Sequence, residues 1–173
     1  MTDHKETNLE YILTNSLKAE LISYIASHQN DFNELIKLSI SNKQPYSWRA
    51  SWLLWSVMDN HDKRLRRYIQ TIIDILPARH DNQQRELLMV LQRMKIDAKY
   101  EGQLFDICSK IWQTVSKNPS LRFQAFKVMI AISKKYAELS NEIHSLTEPY
   151  YIDNLSTNLR KSIFKLMQNA DKQ

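Results

Sequence analysis

The stretch NPSLRFQAFKVMIAI, residues 118–132, reads as the start and body of one helix. Asn118 can offer its side-chain oxygen to an unpaired backbone N–H of the first turn. Pro119 suits the first helical position, where its missing N–H costs nothing. Arg122 follows, with Ala125, Phe126 and Val128 three, four and six residues after it. Those offsets share one helix face.

Working outward, the same register returns at Arg49, Arg85 and Arg160, so that successive arginines lie 36, 37 and 38 residues apart. Three residues after each arginine stand Trp52, Leu88, Ala125 and Ile163. Four after stand Leu53, Met89, Phe126 and Phe164; six after, Trp55, Leu91, Val128 and Leu166. All are apolar. One such stripe describes any amphipathic helix, but its return at a near-constant period describes a repeat. These columns form the expected structural core, above all Trp52, Trp55, Leu88, Leu91, Ala125, Phe126, Ile163 and Phe164. An arginine in the first helical turn opposes the macrodipole by roughly 0.3–1 kcal/mol. Four in register predict a structural role, with a carboxylate or the helix-end carbonyls of the adjacent repeat as partner.

The chain has 173 residues, of which 43% are hydrophobic, which suits one compact domain. Its only glycine is Gly102, too few for hairpin-rich sheets, so an all-α protein is predicted. The same scarcity excludes a Gly-rich phosphate loop or a dinucleotide fingerprint. Cys108 is the lone cysteine and cannot form an internal disulfide, which fits a reducing compartment. The beginning, MTDHKETNLEY, lacks an apolar signal core, and no apolar run approaches a membrane span. A cytoplasmic location with no membrane partner is expected. The net charge of +5 is uneven: residues 61–95 carry 8 Lys/Arg against 4 Asp/Glu.

Helix signals place a first helix from about Asn8 to Ser27, on the stripe Leu9, Leu13, Leu17, Leu21 and Ile25. Asp31 is expected to cap a second, Pro45 opens a third to Asp59, and Asn60 or Asp62 starts a fourth ending near Pro77. Asp81 caps a fifth to about Lys95, and a sixth spans roughly 101–116. The seventh runs from Asn118 to about Tyr136, an eighth covers 139–147, and Ser156 caps the last, to about Asn169.

On these residues the chain resembles HEAT-repeat proteins. Residues 118–132 look like the second helix of a HEAT repeat, with Asn118, Pro119, Leu121, Arg122, Ala125, Val128 and Ile132 at the pattern's positions. NLRKSIFKLM and SWRASWLLW are weaker copies, and the whole is similar to small bacterial HEAT-like proteins. The resemblance covers about residues 30–170 and implies an armadillo-type α-α superhelix, a right-handed solenoid of about four to five helical hairpins. Residues 1–173 are expected to form one repeat domain, with repeats near 8–41 plus 45–59, 61–95, 101–136 and 139–170. Two departures stand out: only Ala125 keeps a small residue in its column, and extra residues occur around 148–155.

Candidate functional residues are few. Trp48, Trp52 and Trp55 form an i, i+4, i+7 stripe, expected as core rather than as an open stacking platform. DKRLRRY, 62–68, could meet phosphates but is expected on a solvated convex face. Off the apolar stripe of the second helices lie Arg93, Lys127, Lys161 and Lys165, a candidate basic ridge on the concave side. The histidines at 4, 28, 61, 80 and 144 are scattered, so no metal is inferred. Cys108 is expected as a buried thiol, with a spatial pairing to His144 as the alternative. Asp59, Asp74 and Asp106 lie in apolar stretches. No catalytic residue and no cofactor are assigned. The expected function is a non-enzymatic scaffold that binds a protein or peptide on its concave face. The alternative is a nucleic-acid-binding protein distantly similar to the HEAT-like DNA alkylation-repair glycosylases, with Trp112 and Asp106, or Trp55 and Asp59, as faint echoes.

Overall fold

The computed structural model of the protein describes residues 6–170, and every regular element among them is helical. Two compact units divide the chain between Lys95 and Ile96. The first unit contains α1 (Asn8–Asn15), α2 (Lys18–Ser27), α3 (Phe32–Ile40), α4 (Tyr46–Val57), α5 (Ile69–Ile75) and α6 (Asp81–Gln92). The second contains α7 (Ala98–Gln113), α8 (Pro119–Ser133), α9 (Ser140–Ser145), α10 (Pro149–Ile152) and α11 (Thr157–Ala170). No helix among the described residues is long and apolar enough to cross a membrane. His4 lies outside the described residues.

The long first helix expected from the leucine stripe is two helices. Ser16 and Leu17 are extended, and Leu17 donates its N–H to the Glu20 carboxylate at 2.7 Å. Leu17 is 77% exposed, whereas Leu9, Leu13, Leu21 and Ile25 are buried. A spacing of four continues through the break, so the stripe alone could not reveal it. α5 starts later than expected for a related reason. Asp62 organises the preceding residues into a turn: its carboxylate accepts the N–H groups of Asp59 and Arg64 and the Arg64 guanidinium. The segment 62–68 is therefore turn and short 3-10 helix, not the first turns of a long helix.

In α4 the buried face is Ser47, Ala50, Ser51 and Leu54, with Leu53 beside it. This face is offset by one residue from the tryptophan stripe, and Trp48, Trp52 and Trp55 are half-buried. The expectation that Trp52 and Trp55 lie in the core is corrected accordingly. The reason is steric: α4 packs closely on both α3 and α6, and small residues permit that approach. Ser51 even donates to the Ser39 carbonyl of α3 at 3.0 Å. The bulky indoles flank the contact. A second correction falls on Phe164, which is 44% exposed. α11 packs on α8 along Ile163 and Met167, and Phe164 lies off that line. Leu88, Leu91, Ala125, Phe126 and Ile163 are buried.

Helix C-termini leave carbonyls unpaired, and proteins usually close them with a left-handed glycine. This chain has a single glycine and no glycine with positive φ. Neighbouring helices supply the donors instead. Arg49 of α4 donates to Leu13 O near the end of α1. Gln83 of α6 donates to Ser39 O at 2.8 Å and to Ser41 O at 2.9 Å, and Arg79 to Ile40 O at 3.0 Å, closing α3. In the second unit Trp112 of α7 donates its indole N–H to Leu146 O beyond α9 at 2.7 Å. At about 1 kcal/mol each, such bonds fasten helix ends to other helices and not merely to themselves.

Candidate functional site

The proposed ridge residues have unlike surroundings. Arg93 closes α6 and is committed within the first unit: its guanidinium donates to Trp55 O at 2.5 Å and to Asn60 Oδ1 at 3.1 Å. Its carbonyl accepts from His61 N at 2.8 Å. In the second unit, Lys127 of α8 is half-buried with its ammonium 4.9 Å from the Phe123 ring centre. Lys161 and Lys165 stand one turn apart on the exposed face of α11. Within 62–68, Arg64 lies 3.4 Å from the Phe32 ring centre and pairs with Asp62 at 2.7 Å. That hydrogen-bonded pair holds the Asp62 carboxyl below the usual carboxylate range, and holds the Arg64 guanidinium above its ordinary value. Lys63, Arg66 and Arg67 are exposed.

The second unit also carries an open groove of about 360 Å³. α7 supplies one wall with Gly102, Phe105 and Asp106; Ile132 of α8, then Tyr136, Glu138 and Leu139, and Glu142 of α9 supply the rest. Phe105 and Ile132 form a mostly covered apolar floor. Asp106, Glu138 and Glu142 are exposed, and none has an ionic partner among the described residues. Glu101, at the start of the same wall, is buried and anchored. It pairs with Lys135 and accepts the Tyr136 hydroxyl at 2.8 Å. Burial pushes its carboxyl up, but those two donors outweigh it and hold it below the ordinary value. Gly102 sits inside α7, where glycine costs about 1 kcal/mol relative to alanine. A Cβ at Gly102 would meet nothing within 4 Å, so packing gives no reason for its absence.

A model of the HEAT repeat domain matches residues 6–170. The chain belongs to the HEAT repeat domain family. No curated protein and no solved structure matches.

The arginines in register along this HEAT repeat chain occupy three kinds of environment. Arg122 is wholly buried: Nε donates to Trp112 O at 2.9 Å, Nη2 to Tyr151 O at 2.6 Å and Nη1 to Asn154 Oδ1 at 3.1 Å. It also lies 4.7 Å from the Trp112 ring centre, and burial pulls its pKa down. Arg49 takes a helix-end carbonyl, as described. Arg85 and Arg160 meet carboxylates, those of Glu86 and of Asp153, the latter at 3.7 Å. Glu86 is itself buried and accepts the Trp55 indole N–H.

Other candidate chemistry is dispersed. Cys108 is fully buried, and burial pushes its thiol up, whereas His144 is exposed. Trp112 is buried and Asp106 exposed; Trp55 is bonded to Glu86, not to Asp59. Among the described residues no group of three His, Cys, Asp or Glu is placed to hold a metal. Sequence reading missed the groove, since Asp106, Glu138 and Glu142 meet only through the packing of α7, α8 and α9. One signal was available: the chain's sole glycine lies inside a helix.

Proposed function

We propose that the protein is a non-enzymatic interaction module that binds a protein or peptide partner on its helical-repeat surface. The observation that carries this is the HEAT repeat match over residues 6–170, because stacked helical repeats present extended surfaces suited to such binding. The site chemistry points the same way. The buried acids Glu10, Asp62, Glu86 and Glu101 are each paired with a cation, and the thiol of Cys108 is disfavoured as a thiolate. Acid–base or nucleophilic catalysis needs such groups poised, not committed. The basic residues Lys127, Lys161 and Lys165 remain a candidate binding surface in the second unit, while Arg93 serves as a helix-end clamp.

The test is affinity capture under native conditions, followed by titration of each purified candidate against the purified protein. A saturable one-to-one isotherm with a protein or peptide is expected. Binding of duplex DNA whose affinity falls steeply with salt, with no protein isotherm, would overturn this in favour of the nucleic-acid alternative.

A further inference from the structure

We infer that the groove beside Gly102 receives an arginine- or lysine-bearing extended segment of a protein partner, its cationic head among Asp106, Glu138 and Glu142. This deepens the interaction function proposed above and rests on it.

Charge selects the occupant. The chain carries a net +5, yet three carboxylates gather around one apolar floor without a cation among the described residues to answer them. Lys135, next to Tyr136 of the lining, is held by the buried Glu101. A guanidinium or ammonium entering the groove would make charge-assisted hydrogen bonds to the rim. Its aliphatic stem would lie along Phe105 and Ile132, as such stems do on apolar surface. A phosphate backbone carries the wrong sign for this rim.

Shape agrees with charge. A volume of about 360 Å³ lies near the low end of the roughly 300–1,000 Å³ typical of ligand sites, room for one or two side chains. Gly102 lowers the α7 wall where a peptide main chain would cross it. A helix-interior glycine disfavours its own helix, and here nothing inside the fold occupies the space it leaves. The Glu101–Lys135–Tyr136 cluster ties α7 to the chain beyond α8, so the two walls are fixed relative to each other before any ligand arrives.

The probe is the fluorescein-labelled peptide Ac-Arg-Ala-Arg-Ala-Arg-Ala-amide, titrated into the full chain by anisotropy and by ¹⁵N NMR. Its glutamate counterpart is the control. Saturable binding of the arginine peptide is expected, with shifts concentrated at residues 102–106 and 132–142. G102Q should project into the groove, since a Cβ at this position meets nothing within 4 Å. It should weaken binding about tenfold while raising Tm by about 2 °C through better helix propensity. The triple variant D106N/E138Q/E142Q should also weaken binding about tenfold, and E148Q, away from the groove, should not change it. No binding at millimolar peptide, shifts elsewhere, or equal affinity for G102Q would overturn the groove. A purified partner that binds wild type, G102Q and the triple variant alike would overturn the groove but leave the interaction function standing. A partner isotherm weakened by both would support the two together.

Discussion

Arg85 and Arg122 occupy the same column of the repeat and live in different physical worlds. Arg85 is half-exposed and pairs with a carboxylate on the adjacent residue. Arg122 is sealed from solvent, has no carboxylate, and answers two helix-end carbonyls and an amide. A shared position in a repeat thus fixes where a side chain starts but not what it does. What differs is the neighbour. Beside Arg122 the ends of α7 and α10 present carbonyls that need a donor. Beside Arg85 stands Glu86, whose buried carboxylate also receives Trp55.

The widest expected gap between the two sites comes from truncating each arginine. Arg122→Ala should cost about 3–4 kcal/mol in urea unfolding, from two orphaned carbonyls plus a cavity. If it costs no more than Arg85→Ala, burial has no energetic meaning here and the contrast fails. Next in size is Glu86→Ala, expected at about 2–3 kcal/mol because it strands the indole N–H of Trp55 and removes a buried carboxylate that Arg85 pairs with.

Acid sharpens the same contrast, since it discharges carboxylate pairs and leaves carbonyl caps untouched. Asp62 is the case to follow, with its carboxyl lowered by the hydrogen-bonded Arg64. A lowered folded value means that its contribution is complete above the ordinary carboxylate pKa of about 3.9. It is then lost as pH falls through the lowered value. Asp62→Asn should therefore cost about 1–2 kcal/mol at neutral pH, and its difference from wild type should shrink as pH falls below that ordinary value. The cost of Arg122→Ala, measured in parallel, should show no such dependence. The smallest effect belongs to Arg85→Ala, at most about 1 kcal/mol and reduced further in 1 M salt, as for a solvent-screened pair.

The sequence was most informative where local chemistry and periodicity coincide. Asn118-Pro119 starts α8, with Asn118 accepting from Ser120 N at 2.8 Å, and Ser156 accepts from Leu159 N at 3.3 Å at the start of α11. A repeat protein follows from the arginine register and all-helical character from the near-absence of glycine, and the HEAT repeat match agrees with that fold. Illegible were features decided across space. The break at Ser16–Leu17 preserves a four-residue spacing, so the stripe hides it. The α4 face is chosen by how closely α3 and α6 approach, which favours Ala50 and Ser51 over the larger indoles. The ridge pattern treated Arg93 like three lysines, whereas its planar fork is matched to the carbonyl of Trp55 and the side chain of Asn60. The groove needs three helices before its carboxylates become neighbours.

Because so many helix ends are fastened by donors from later in the chain, cutting the protein between helices should not yield interchangeable modules. A fragment ending after α3 would leave Ser39, Ile40 and Ser41 without the side chains of Arg79 and Gln83. Shuffling or deleting a repeat would thus require redesigning the side chains that reach across each seam, not merely matching the oily surfaces.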